Sequence, residues 1–201
     1  KMAGPSAEEQ LYIELINETR LDPLGSAARY IASYAPLTSN DPAIQWALDY
    51  FNVDGIALRQ AFAELVPVGP VAWNEALSNA AAGHSAAMIA ADEQSHQVQG
   101  EPALAARADA AGYTGWSRLG ENVYSYARSE IYGHAGFMVD WGPGLGGMQT
   151  PPGHRNNIMN GGFREIGVDV TAEINAATSV GPQVVTQDFG VRSGAYFVLG
   201  V

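Results

Sequence analysis

The sequence predicts an α+β domain, with helices in the first two thirds and strands in the last third. Helical spacing of apolar residues recurs from Glu8 to Ala111. Alternating apolar residues, typical of strands, follow in Phe163–Thr171 and Val184–Phe189. The chain has 201 residues, 47% of them hydrophobic, which is enough for one domain with a buried core. Helices first and strands last favour an antiparallel sheet covered by helices.

The helical segments begin and end at local signals. Asp22 and Asp41 each precede a proline, a pair typical of an N-cap followed by the first helical residue. Pro67 ends one segment, and Gly112 closes another. We expect six helices, over Glu8–Arg20, Pro23–Tyr34, Pro42–Phe51, Gly55–Val66, Asn74–Asp92 and Pro102–Ala111.

Strand patterns dominate the end of the chain. Ile166, Val168 and Val170 alternate with other residues, so one face of this strand should be buried. Val184–Phe189 and Ala195–Leu199 have the same character. The stretch between the first two strands, 175–182, is typical of a hairpin connection, which again predicts antiparallel pairing.

Composition excludes several classes of function. The formal net charge is −11 and there is a single lysine, which argues against nucleic acid and against anionic membrane surfaces. The absence of cysteine excludes disulfides, a thiol nucleophile and cysteine-ligated zinc. The longest uncharged helical stretch, Ala76–Ala91, is too short and too polar to span a bilayer.

The four histidines are the residues best suited to chemistry, but their spacing forms no local metal motif. His84 shares the apolar stripe of its helix, so we expect it to be a hydrogen-bonded, partly buried side chain. The glycines of 142–147 formally match a dinucleotide motif, but no buried strand precedes them and Pro151 follows where a helix should begin. We interpret this segment as a loop beside the functional cleft.

Three motifs in a fixed order extend the interpretation. They are Gly120-Glu121-Asn122, then Gly153–Met159 with the sequence GHRNNIM, then Arg164–Val168 with the sequence REIGV. With Val71–Asn74 and Ser95-His96, this order resembles the CAP superfamily of cysteine-rich secretory, antigen 5 and pathogenesis-related proteins. The resemblance is to its bacterial, cysteine-free members and covers Trp73–Phe189 well.

The resemblance implies an α-β-α sandwich, with a central, mostly antiparallel sheet between helical layers. It implies one CAP/SCP domain over residues 7–201, with 22–70 as an N-terminal helical insertion and 1–6 as a lead outside the domain. It also implies a secreted or cell-surface bacterial protein. The ends of the sequence suggest a piece of a longer protein with further domains.

The resemblance further implies a cleft formed by His96, Glu121 and His154, the matches to the family's first histidine, its Gly-Glu-Asn acid and its second histidine. The family's second acid follows a tryptophan, but Gly142-Pro143 follows Trp141 here. Asp140 precedes that tryptophan and would lie one helical turn from the expected position, although Pro143 makes continuation of the helix doubtful.

Two classes of function follow from these residues. His96 and His154 could bind a divalent metal, with Zn²⁺ the first choice, while Glu121 orients an imidazole or moves a proton in a metal-dependent hydrolase. Alternatively, the histidines form a structural cluster in a non-catalytic adhesion, interaction or lipid-binding module. The sequence leaves enzymatic activity undecided, and the ligand of the cleft could be a small molecule, a lipid or a protein.

Overall fold

The computed structural model describes residues 4–194 and shows a four-stranded sheet between helical layers. Within these residues, no helix is both long and apolar enough to traverse a membrane. The helices are α1 (Ala7–Leu21), α2 (Pro23–Ser26), α3 (Pro42–Tyr50), α4 (Gly55–Ala63), α5 (Glu75–Ala91), α6 (Leu104–Ala110), α7 (Glu130–Ala135) and α8 (Gly153–Ile158). The strands are β1 (Ser33–Tyr34), β2 (Leu37–Thr38), β3 (Ala72–Trp73), β4 (Trp116–Ala127), β5 (Glu165–Ala172) and β6 (Gln183–Arg192).

The central sheet has the order β3-β5-β6-β4. β5 pairs antiparallel with β6, and β6 pairs antiparallel with β4, whereas β3 runs parallel to β5. The expected mostly antiparallel sheet is therefore confirmed. β4 is an edge strand, and side chains and loops occupy part of its outer edge: Gln94 accepts from the Ser125 N–H, and Asn157 donates to the Glu121 carbonyl.

Helices cover both faces of the sheet, which confirms the α-β-α sandwich. On one face, α5 packs closely because Ser85 hydrogen-bonds Thr186 of β6, and Ser78 accepts from the Val168 N–H of β5. On the other face, α1, α7 and α8 enclose the main core, whose side chains include Ile16, Phe137 and Ile158. The burial of both faces fixes the sheet in the middle of the domain.

Residues 22–70 fold onto this sandwich and share its core. Ile44 and Leu48 of α3 and Leu58 and Phe62 of α4 are at most 1% exposed and belong to the same apolar cluster as α1 and β5. Their helices begin at N-caps Asp41 and Asp54, whose carboxylates accept backbone N–H groups. The segment is therefore held by apolar packing rather than attached as a loose loop.

Five of the six predicted helices are confirmed to within a few residues, and the second was predicted too long. After α2, a single 3-10 turn over Ala27–Arg29 gives way to the small β1–β2 hairpin around Ala35-Pro36. Proline disfavours helix at the residue before it, which explains why the apolar spacing near Tyr34 is not helical. The predicted strand Ala195–Leu199 lies outside the described residues.

The longest strand, β4, was not predicted. Its buried residues include Glu121, Asn122 and Ser125, so polar side chains point inward on both faces of the strand. These residues remove the apolar alternation by which a strand is recognised in a sequence. Gly120-Glu121-Asn122 was identified as a motif, but its strand conformation was not.

Candidate functional site

Glu121 projects from the edge strand β4 toward the layer formed by α5 and α6. Pairing of β4 with β6 places it opposite Asp188, so both carboxyl groups lie on the same face of the sheet. The Glu121 side chain is only 4% exposed. A buried carboxylate requires partners, and neighbouring segments supply them.

The two carboxylate oxygens of Glu121 have separate partners. Oε1 lies 2.9 Å from Nδ1 of His96, and Oε2 accepts a hydrogen bond from the Arg107 guanidinium. Burial raises the pKa of Glu121, but the hydrogen bond from His96 and the neighbouring positive charges outweigh it and hold the pKa below its usual value. Glu121 is therefore an ionised group held in a buried ion pair.

His84 supports this arrangement from α5. It is fully buried, its Nδ1 lies 2.9 Å from the Glu101 carboxylate, and its Nε2 donates to the Ser95 carbonyl at 2.9 Å. The expected hydrogen bonding of His84 is confirmed, and its burial is complete rather than partial. Because Ser95 immediately precedes His96, this contact fixes the loop that presents His96.

Asp188 is the unpaired member of the cluster. It is fully buried in β6, and within residues 4–194 neither of its carboxyl oxygens has a hydrogen-bond partner. Burial and the negative charge of Glu121 raise the pKa of Asp188 well above its usual value. The raised pKa favours the protonated form of Asp188 beside an ionised Glu121, since two adjacent buried carboxylates would repel.

His154 lies in the first turn of α8, and its partner is Asp140. Asp140 Oδ1 is 2.7 Å from His154 Nδ1, and Oδ2 accepts from the backbone N–H groups of His154 and Arg155. A π-helical turn over Gly136–Asp140 follows α7 and ends at Asp140, whose φ of 57° is left-handed, a conformation that Asp tolerates better than most residues. This turn directs the carboxylate onto the start of α8.

His96 and His154 contact adjacent residues of β4. His96 bonds the Glu121 side chain, whereas the His154 carbonyl accepts from the side-chain amide of Asn122. Asn122 is fully buried within β4 and also bonds Gln187, so its role is structural. The ring of His154 bonds Asp140 rather than His96 or Glu121.

His96 and His154 meet only some of the requirements of a metal site. In each imidazole a carboxylate bonds Nδ1 and orients the ring, as in many metal-binding histidines. The Nε2 atom is then the one available to coordinate a metal. Within residues 4–194, however, no three His, Asp or Glu side chains are grouped so as to hold a metal ion. Zinc in proteins usually has at least three protein ligands, so the two histidines alone do not complete such a site.

An aromatic cavity of about 630 Å³ opens beside His154. The 22–70 segment contributes Trp46, Tyr50 and Phe51 to its wall. The sandwich contributes further aromatic side chains, among them Tyr124, Tyr132, Phe137 and Trp141. His154 lines this cavity, whereas His96 and Glu121 do not. Gly142 and Pro143 also line it, as expected for the glycine-rich loop.

The comparison with protein families agrees with this architecture. The family model described as CAP, the cysteine-rich secretory protein family, matches residues 13–189. The chain belongs to the CAP family. A solved structure of an extracellular protein containing a SCP domain from Bacillus anthracis str. Ames is similar, at 21% identity and a TM-score of 0.46. The match covers 77% of this chain but 45% of that one, and no curated protein matches the sequence.

In this CAP domain, Asp140 supplies a carboxylate beside His154, although the acid expected after Trp141 is absent from the sequence. The residue after Trp141 is glycine, yet a carboxylate still lies beside His154 because Asp140 turns back at the end of its helix. The helix does stop before Pro143, so the doubt about continuation was justified. Asp140 contacts His154 even though the helix does not continue past Trp141.

Three important residues of the CAP domain were not identified from the sequence. Arg107 lies on the inward face of α6, Glu101 precedes that helix, and Asp188 occurs on β6. Asp188 carried a usable signal, since it alternates with Val184 and Thr186 on the buried face of β6. A buried acid at such a position requires a partner or a proton, which points to Glu121 across the ladder.

Proposed function

We propose that this chain is a binding module of an extracellular bacterial protein and that the aromatic cavity is its ligand site. The observation that carries the proposal is the cavity itself, lined by aromatic rings with His154 among them. Its volume falls within the range of small-molecule sites, which are concave, mostly apolar and supplied with a few polar groups. The family's description as secretory proteins supports an extracellular location.

The state of Glu121 favours binding over catalysis. A general acid or base must reach its substrate, whereas Glu121 is buried and both its oxygens are engaged. His154 is better placed, since it lies on the cavity wall with its ring held by Asp140. The ligand we propose is a small molecule or part of a lipid with an apolar body, oriented by polar groups on the wall.

Trp46→Ala tests the cavity with a neutral fluorescent probe, N-phenyl-1-naphthylamine. Trp46 is 51% exposed, so its removal should leave the core intact while the cavity loses a wall. We expect probe binding to weaken roughly tenfold, about 1.4 kcal/mol, as for the loss of an aromatic contact. Ile56→Ala is the matched control, because Ile56 is similarly exposed on the neighbouring inserted helix but does not line the cavity.

Absence of probe binding to the native chain would overturn this proposal. Equal weakening by Trp46→Ala and Ile56→Ala would place the probe elsewhere on the surface and would count equally against it.

A second candidate function is divalent metal binding by His96 and His154. The hydrogen bonds of the two rings support it, since each has a carboxylate on Nδ1, as many metal-binding histidines do. Hydrolysis at such a metal is the enzymatic form of this proposal. Glu121 would then be the carboxylate beside His96, and Glu121→Gln should abolish any turnover while metal binding persists.

Zinc titration by calorimetry tests this second candidate. We expect about one zinc site per chain. The site should be lost in both His96→Ala and His154→Ala, because a single remaining imidazole would bind zinc much more weakly than two. Glu93→Gln, which removes an exposed acid near His96, controls for loose attraction of the cation to an acidic protein. No heat on addition of zinc, or heat that survives both histidine substitutions, would rule the site out.

A further inference from the structure

Arg128 is held at the cavity wall by aromatic rings. It follows β4 directly, and its guanidinium carbon lies 5.2 Å from the ring centre of Trp46 and 5.6 Å from that of Tyr132. Trp46 belongs to the inserted helix α3, whereas Tyr132 belongs to α7 of the sandwich. Arg128 therefore spans the junction between the insertion and the sandwich, oriented by cation–π contacts.

The charge of Arg128 is not neutralised by the protein. Its side chain is exposed, and no carboxylate of residues 4–194 forms an ion pair with it. A guanidinium that packs its face on aromatic rings keeps its N–H donors at the edge, in the planar fork that matches a carboxylate.

Among the described residues, the rest of the cavity wall carries no negative charge that would repel an anionic ligand. None of the lining residues within 4–194 is Asp or Glu, although the protein as a whole is acidic. Gln94 and Gln149 supply neutral amide groups to the wall. Asp140 is the nearest acid on the His154 side, but it is fully buried behind that ring and its oxygens are engaged by His154 and Arg155.

We propose that the aromatic cavity selects ligands that carry a carboxylate on a flat apolar body, with Arg128 binding the carboxylate. This inference rests on the proposed function, since it names the ligand class of the same cavity. The apolar body packs among Tyr124, Phe137 and Trp141, while the carboxylate accepts hydrogen bonds from the edge of the Arg128 guanidinium. Arg128 is thus a specificity-determining residue.

The test compares two probes of nearly identical shape, 1-naphthaleneacetate and its neutral amide, 1-naphthaleneacetamide. Calorimetry on the native chain should show the carboxylate binding about tenfold more tightly, as expected for a charge-assisted hydrogen bond. Arg128→Gln should abolish this preference by weakening the carboxylate alone. Added salt should reduce the preference in the native chain, because the carboxylate contact is electrostatic.

Arg118→Gln is the matched control, since Arg118 is an exposed arginine, like Arg128, but lies on β4 away from the residues that line the cavity. It should retain the preference for the carboxylate. Equal affinity of the native chain for both probes, or a preference that survives Arg128→Gln, would overturn this inference while leaving the cavity as a ligand site. If neither probe bound, the proposed function itself would fail.

Discussion

Asp188 shows how the pKa of one buried acid depends on the charge of its neighbour. The carboxyl group lies opposite Glu121 across the β4–β6 ladder and has no hydrogen-bond partner among the described residues. Only one of the two acids can ionise without strong repulsion, and Arg107 and His96 favour Glu121. Burial and the negative charge of Glu121 raise the pKa of Asp188, whereas His96 and the neighbouring positive charges lower the pKa of Glu121 against the effect of its burial.

We predict that Asp188→Asn stabilises the protein at pH 7 and that this gain disappears toward pH 4. The pKa of Asp188 is raised by folding, so the native state holds a proton that the unfolded chain releases above about pH 4. Stability of the native chain is therefore lost as pH rises from that value toward the folded pKa. Asparagine has no such proton to hold. Urea unfolding of both proteins at several pH values measures the difference.

Asp49→Asn controls for the removal of one negative charge, since Asp49 is exposed on α3. A stability difference between the native chain and Asp188→Asn that stayed constant from pH 4 to pH 7 would contradict a protonated Asp188.

At the scale of elements, the packing of α5 on the sheet depends on one glycine. A Cβ at Gly167 of β5 would lie 2.0 Å from the Ser78 nitrogen and 2.1 Å from the Leu77 carbonyl carbon, both backbone atoms of α5. Neither can move without shifting the helix. The glycine of the Glu165-Ile166-Gly167-Val168 motif thus sets the distance between the helical layer and the sheet, and with it the position of His84.

We predict that Gly167→Ala lowers the free energy of unfolding by about 3 kcal/mol, the upper end of the usual cost of overpacking. Gly83→Ala is the matched control within α5. Gly83 is exposed and its added Cβ would meet no atom within 4 Å, so alanine there should stabilise the helix by about 0.5–1 kcal/mol. Denaturant unfolding of both variants provides the measurement; similar effects in the two would contradict the close contact.

Helices were predictable from the sequence because their signals are local. The Asp-Pro pairs at 22–23 and 41–42 do begin helices, with the Asp side chains as N-caps. β4 was not predictable in this way, since its inward positions hold residues that bond partners distant in sequence: Glu121 bonds Arg107, and Asn122 bonds His154. In β4, polar residues of the site occupy inward positions that are usually apolar, so the strand lacks the alternating pattern by which strands are recognised.

At the scale of the whole molecule, the sequence indicated the histidines and Glu121 but not the cavity. The motifs that carry the resemblance lie between Trp73 and Phe189, whereas Trp46, Tyr50 and Phe51 belong to the 22–70 segment. The cavity forms where this segment packs against Tyr132 and Trp141. Such a junction depends on the three-dimensional placement of helices, and no local signal in the sequence specifies it.

The outer edge of β4 has a further consequence for the protein in solution. An open edge strand offers free N–H and C=O groups to which a strand of another molecule can pair. Here Asn157 covers the Glu121 carbonyl, Gln94 covers the Ser125 N–H, and the Gly181 N–H covers the Ser125 carbonyl. The segments that flank His96 and His154 therefore also protect the chain against edge-to-edge aggregation, so substitutions that loosen them would reduce solubility as well as disturb the site.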